Sequence, residues 1–126
     1  MNCFIMIVED DDDIRSCLAE CLEAEDFTVL TASNGRTALE VLKVLNEKPE
    51  LILLDLMMPV MTGWEFLEVK AQEPQLADIP VVVMSAGANQ ERLSKSQPFL
   101  KKPLGLESLF QVIHQVRAPS RQALSA

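Results

Sequence analysis

The sequence predicts an α/β domain: a five-stranded parallel sheet with helices on both faces. Three observations predict it. Strand-like apolar runs and helical stripes alternate five times along the 126 residues. The runs Leu51–Leu54 and Ile79–Met84 read as strands buried on both faces, the habit of parallel sheets. Polar residues gather where strands end. Glu9 and Asp10 follow the first, Asp55 the third, Ser85 the fourth and Lys102 the fifth.

The elements follow in order. Cys3–Val8 is the first strand and stops at Glu9. Ile14, Cys17, Leu18, Cys21 and Leu22 repeat at helical spacing, so the first helix buries that face, with both cysteines as small core residues. Any of Asp11 to Asp13 can cap it. Phe27–Thr31 is the second strand, and Asn34-Gly35 makes the next turn. Ala38, Val41, Leu42 and Leu45 give a second helical face, closed by Pro49. After the third strand, Pro59 and Gly63 bracket a loop, and Trp64 to about Glu73 is a third helix, with Trp64 partly buried. Residues 85–98 carry no clear period. Phe99-Leu100 is a short strand before Lys101, Lys102 and Pro103. Leu106, Leu109, Phe110, Ile113 and Val116 line a last helix, on which His114, the sole histidine, is a surface or structural residue. Residues 1–117 form the domain, and 118–126 a frayed tail.

Composition sets bounds. Hydrophobic residues make up 48% and charged residues 24%, a globular balance. The net charge of -8 opposes a nucleic-acid footprint and an anionic membrane surface. No apolar run approaches the roughly 20 residues that span a bilayer. The N-terminus has no basic segment of the secretory type, and the three cysteines have no framework spacing, so a cytoplasmic, reducing compartment is expected.

Crossovers between parallel strands place ligands at the carboxyl ends of the strands. Three carboxylates meeting there repel one another, and a divalent cation relieves the repulsion. All-oxygen donors suit Mg²⁺. A carboxylate can attack phosphorus to give an acyl phosphate. Phosphoryl transfer then needs position and charge neutralisation, which Mg²⁺ and the Lys102 ammonium supply from two sides. The Ser85 hydroxyl can donate to a phosphoryl oxygen.

The segments Ile7-Val8-Glu9-Asp10-Asp11, Leu54-Asp55-Leu56-Met57-Met58-Pro59 with Gly63, Val83-Met84-Ser85-Ala86, and Lys102-Pro103-Leu104 resemble the response-regulator receiver family of two-component signalling. The likeness runs over about residues 3 to 117. It implies a flavodoxin-like sheet of order 2-1-3-4-5. It implies Asp55 as phosphoryl acceptor and Glu9 and Asp10 as the acidic pair. Asp10, Asp55 and the Met57 backbone carbonyl would ligate Mg²⁺, the only cofactor. Ser85 would be the switch hydroxyl, Lys102 the phosphate partner and Phe99 the aromatic that changes rotamer. The donor would be a histidine kinase or a histidine phosphotransfer protein. Such a domain is no enzyme in the ordinary sense, since it catalyses only its own phosphorylation and dephosphorylation. Two departures stand out. Phe99 replaces the commoner Tyr. Only residues 86–101, 16 in all, separate Ser85 from Lys102, so the fourth helix should be shortened. No effector domain follows Arg117, which leaves a stand-alone receiver or a piece of a longer protein.

Other readings fit less well. An interaction module that ignores phosphorylation would not need the full Glu9, Asp10, Asp55, Ser85 and Lys102 set. An FMN carrier needs a phosphate-binding loop where Glu9-Asp10-Asp11 would repel phosphate. An EF-hand counted from Asp10 has Arg15 at its glycine position. A haloacid-dehalogenase-type phosphatase needs an acid where Met57 stands.

Overall fold

The computed structural model describes residues 3–58, 60–85, 97–102 and 105–116. Five strands, β1 (Phe4–Val8), β2 (Thr28–Ala32), β3 (Leu51–Asp55), β4 (Val81–Ser85) and β5 (Phe99–Lys101), form one sheet of order β2-β1-β3-β4-β5. Every pairing is parallel. The described helices are α1 (Asp12–Ala24), α2 (Gly35–Val44), α3 (Gly63–Gln72) and α4 (Leu106–Val116). The shortened helix expected within residues 87–97 and the tail at 118–126 lie outside the described residues, apart from Gln97.

Alternation of side chains along the strands sorts the interior into two cores. Met6, Val8, Ile52, Leu54, Val81 and Val83 face α2 and α3, where Ala38, Leu42 and Phe66 meet them. Ile5, Ile7, Leu51, Leu53, Val82 and Met84 face α1 and α4, against Leu18, Leu22, Leu109 and Ile113. Strands packed on both sides have no polar face to offer, which is why these runs lack alternation.

Caps fix where the helices begin. Asp11 accepts a hydrogen bond from the Ile14 amide and caps α1. Asn34 does the same for α2 through the Thr37 amide, so the Asn34-Gly35 pair is a helix start as well as a turn. Thr62 and Glu65 form a reciprocal capping box at α3.

Two expectations change. The fourth strand begins at Val81, two residues later than the apolar run suggested. Pro80 has no amide to give a ladder, and its carbonyl instead accepts from the Ile52 amide at 2.9 Å. The buried stripe of α1 is narrower than its apolar stripe. Leu18 and Leu22 are buried, but Cys17 is exposed and Cys21 only partly covered. On the same helix the Arg15 guanidinium turns back to donate to the Glu9 carbonyl at 2.9 Å.

Candidate functional site

At the carboxyl edge of the sheet, β1 and β3 lie side by side, with Val8 opposite Leu54. The residues that follow, Glu9 and Asp55, therefore meet. Glu9 is 1% exposed and Asp55 3% exposed. β5 pairs with β4 up to Ser85 and Lys101, and the Lys102 amide bonds the Ser85 carbonyl at 3.0 Å. That register brings the Lys102 side chain across the sheet edge. Its ammonium lies 2.7 Å from Glu9 Oε1 and 3.3 Å from Asp55 Oδ1. A cavity of about 240 Å³ opens above them, lined by Glu9, Asp10, Asp11, Ile14, Asp55, Met57 and Lys102.

Four of the expected site residues thus converge: Glu9, Asp10, Asp55 and Lys102. Carboxylate oxygens of Glu9, Asp10 and Asp55 all lie within 4.8 Å of one another. Asp10 is exposed and Glu9 buried, so the pair differs in kind. Glu9 is held by its surroundings: its amide donates to the Ala32 carbonyl at 3.1 Å, and its Oε2 accepts from the Asp11 amide at 3.2 Å. Asp10 remains open to solvent and to a ligand. Ser85 is fully buried at the end of β4. Phe99 is half-buried and packs on the core beneath α2 and α3. The Met57 side chain is exposed, while its amide donates to Asp55 Oδ1 at 3.3 Å. His114 is exposed on α4, and its ring lies 6.4 Å from that of Phe27.

Burial pushes the Asp55 carboxyl up to about 7, and the neighbouring Glu9 charge adds to the rise. Lys102 and the Met57 amide pull the other way without cancelling it. Burial alone would lower the Lys102 ammonium, but the Glu9 hydrogen bond and the Asp55 and Glu9 charges outweigh it and raise the pKa. Among the described residues, the Lys102 ammonium alone forms ion pairs with these acids, against three carboxylates. An all-oxygen donor set with unbalanced negative charge fits a hard divalent cation.

Two further residues shape the site. Arg15 pins the turn after β1 by donating to the Glu9 carbonyl. Nothing in the sequence pattern signals a side chain that serves a backbone oxygen. Gly63 opens α3 so close to β3 that a Cβ there would stand 2.6 Å from the Asp55 carbonyl oxygen and 2.6 Å from Leu56 Cα. Both are backbone atoms and cannot step aside. Gly63→Ala is expected to cost about 1–3 kcal/mol, since overpacking here displaces the strand end that carries Asp55. Thermal melts with and without Mg²⁺ check this, and an unchanged melting temperature would refute it. The intervening loop is itself strained, with Val60 at φ 68°.

Comparison with known proteins agrees with this geometry. A family model described as the response regulator receiver domain matches residues 5–114. The rice two-component response regulator ORR6 is 30% identical over 119 residues, covering 90% of this chain and 70% of that protein. The sensor histidine kinase TmoS of Ectopseudomonas mendocina is 36% identical over 110 residues, but the chain spans only 11% of its length. It spans 31% of a cyclic di-GMP phosphodiesterase of Thermotoga maritima. Among solved structures, the chemotaxis protein CheY4 of Vibrio cholerae superposes with a TM-score of 0.81 at 26% identity, over 92% of this chain and 99% of that one. The family match over residues 5–114, on a sheet of order 2-1-3-4-5 with the acids at its carboxyl edge, places this chain in the response regulator receiver domain family of two-component signalling.

Proposed function

We propose that this receiver, residues 1–117, takes a phosphoryl group onto Asp55 from a phosphohistidine of a histidine kinase or a histidine phosphotransfer protein. One observation carries the reading: the buried Asp55 carboxylate sits beside the partly buried Lys102 ammonium and two further carboxylates at one sheet edge. An Asp55 oxygen attacks phosphorus, the phosphorus–nitrogen bond breaks, and its electron pair leaves with the imidazole, which keeps a proton. Glu9, Asp10, Asp55 and the Met57 carbonyl would hold Mg²⁺. Bound there, it neutralises charge on the transferring group. Lys102 leaves its ion pair with Glu9 to hold a phosphoryl oxygen, and Ser85 donates its hydroxyl to another. Phe99, already half-buried, follows into the space that Ser85 vacates. With no hydroxyl to hold it at the surface, its inward position is favoured before phosphorylation, and the rotamer change couples weakly to the switch.

Three free cysteines suit a cytoplasmic setting. No described helix is long and apolar enough to cross a membrane. The charge of -8 disfavours direct contact with nucleic acid.

The experiment is labelling by a small acyl phosphate with Mg²⁺ varied. Wild-type labelling should require the ion. Asp10→Asn should raise the Mg²⁺ concentration needed by about 10-fold or more, a loss of roughly 1.4 kcal/mol of binding. Labelling that ignores Mg²⁺, or an Asp10 variant identical to wild type, would remove the metal assignment. A chain that never labels would be an interaction module instead.

A further inference from the structure

Helix α1 carries two thiols that phosphoryl transfer does not use. Cys17 and Cys21 stand four residues apart, one above the other on the same side of the helix. Neither belongs to a core cluster. Cys17 is exposed and Cys21 is partly exposed. The remaining cysteine, Cys3, is buried.

Adjacent thiols have two outlets, a disulfide or a shared ion, and helix geometry decides between them. Residues four apart hold their Cβ atoms about 5–6 Å from one another. A disulfide needs them about 3.5–4.5 Å apart. Oxidation would therefore bend a helix that is capped by Asp11 and packed through Leu18 and Leu22. A bridging ion makes no such demand. Metal–sulfur bonds of about 2.3 Å let two sulfurs stand up to about 4.6 Å apart. Cys21 is also no activated nucleophile, because burial, then the Cys17 neighbour, push its thiol up. Sulfur donors select soft cations and ignore Mg²⁺.

We propose that Cys17 and Cys21 form a two-sulfur clamp for a soft, thiophilic cation of the monovalent copper type on the open side of α1. Loading forms two copper–sulfur bonds and releases two thiol protons to the buffer, with no change of oxidation state. The clamp needs neither Asp55 nor its phosphorylation.

The test is a titration of the reduced full chain with Cu(I) held in a chromophoric chelator. One ion per chain should transfer, with the helical circular dichroism and the monomeric state unchanged. Cys17→Ser and Cys21→Ser should each reduce transfer to none, while Asp55→Asn should transfer one ion as wild type does. Retention by either single serine variant would overturn the proposal. So would one ion per two chains with a doubled mass, or loss of helical signal on loading. Phenylarsine oxide gives a second arm: arsenic bonds both sulfurs and its oxygen leaves as water. The matching mass increase should appear only when both cysteines are present.

Discussion

Asp55→Asn is expected to abolish acyl phosphate formation and, in the same protein, to raise folding stability. The first effect is chemical. The carboxamide is a poor nucleophile toward phosphorus, so incorporation should fall to background, a loss of about 1000-fold or more, roughly 4 kcal/mol. The second effect is electrostatic and can be signed. Burial and Glu9 raise the folded Asp55 carboxyl to about 7, against about 3.9 in an unfolded chain. The folded state therefore binds the extra proton between those values. The stability that this proton contributes to the wild type is fully present below about pH 4 and is lost as pH rises through 7. The amide carries no such penalty. The stability gap between variant and wild type should be near zero at pH 4, open across that window and level off above it. Three pH units correspond to about 4 kcal/mol. Relaxation around the ionised group brings the expected gain at pH 8 to about 1–3 kcal/mol. Mg²⁺ should shrink the gap by stabilising the wild type. Urea melts at pH 4.5 and pH 8, with mass mapping of the phosphoryl group, check both halves. Phosphate found on Asp11, or a variant weaker than wild type at pH 8, would sink the assignment.

Much of the site could be read before the fold was known, for a geometric reason. In a parallel sheet the strand order alone determines which carboxyl ends are neighbours. Glu9, Asp55 and Lys102 each follow or close a strand, so fixing the order fixed their proximity. What stayed hidden involved contacts without periodicity. The role of Arg15 carries no signal in the sequence, because its partner is a backbone oxygen. The five-residue apolar stripe of α1 could not reveal that only Leu18 and Leu22 are buried, since the rotation of a helix is set by the packing beneath it, which periodicity does not carry. Gly63 read as a loop boundary, whereas its missing Cβ is what lets α3 start against β3. Pro80 inside an apolar run shifted the start of β4, an effect that hydropathy does not register.

Removing Lys102 should have the opposite sign to removing the Asp55 charge. Its ammonium is the one cation described within ion-pair distance of Glu9 and Asp55, both buried. Lys102→Met keeps most of the side-chain volume and deletes the charge. Two buried carboxylates would then face each other uncompensated. Breaking a buried pair in this way typically costs about 3–5 kcal/mol, because the surviving charge stays desolvated. The protein has one escape, protonation of Asp55, whose pKa should climb further above 7. The loss should therefore be large at pH 8 and small at pH 5, while the wild-type contribution of Lys102 persists up to the unfolded lysine range near 10.4. Mg²⁺ at the acids should recover part of the loss at pH 8. Labelling of Asp55 should fall about 100-fold even when Mg²⁺ has restored the fold, since a preorganised donor to the phosphoryl oxygen is gone. Denaturant melts across pH, paired with labelling rates at saturating Mg²⁺, separate the two roles. A variant as stable as wild type at pH 8 without metal would show that Lys102 does not hold the acids together, and a normal labelling rate would show that it does not hold the phosphoryl group.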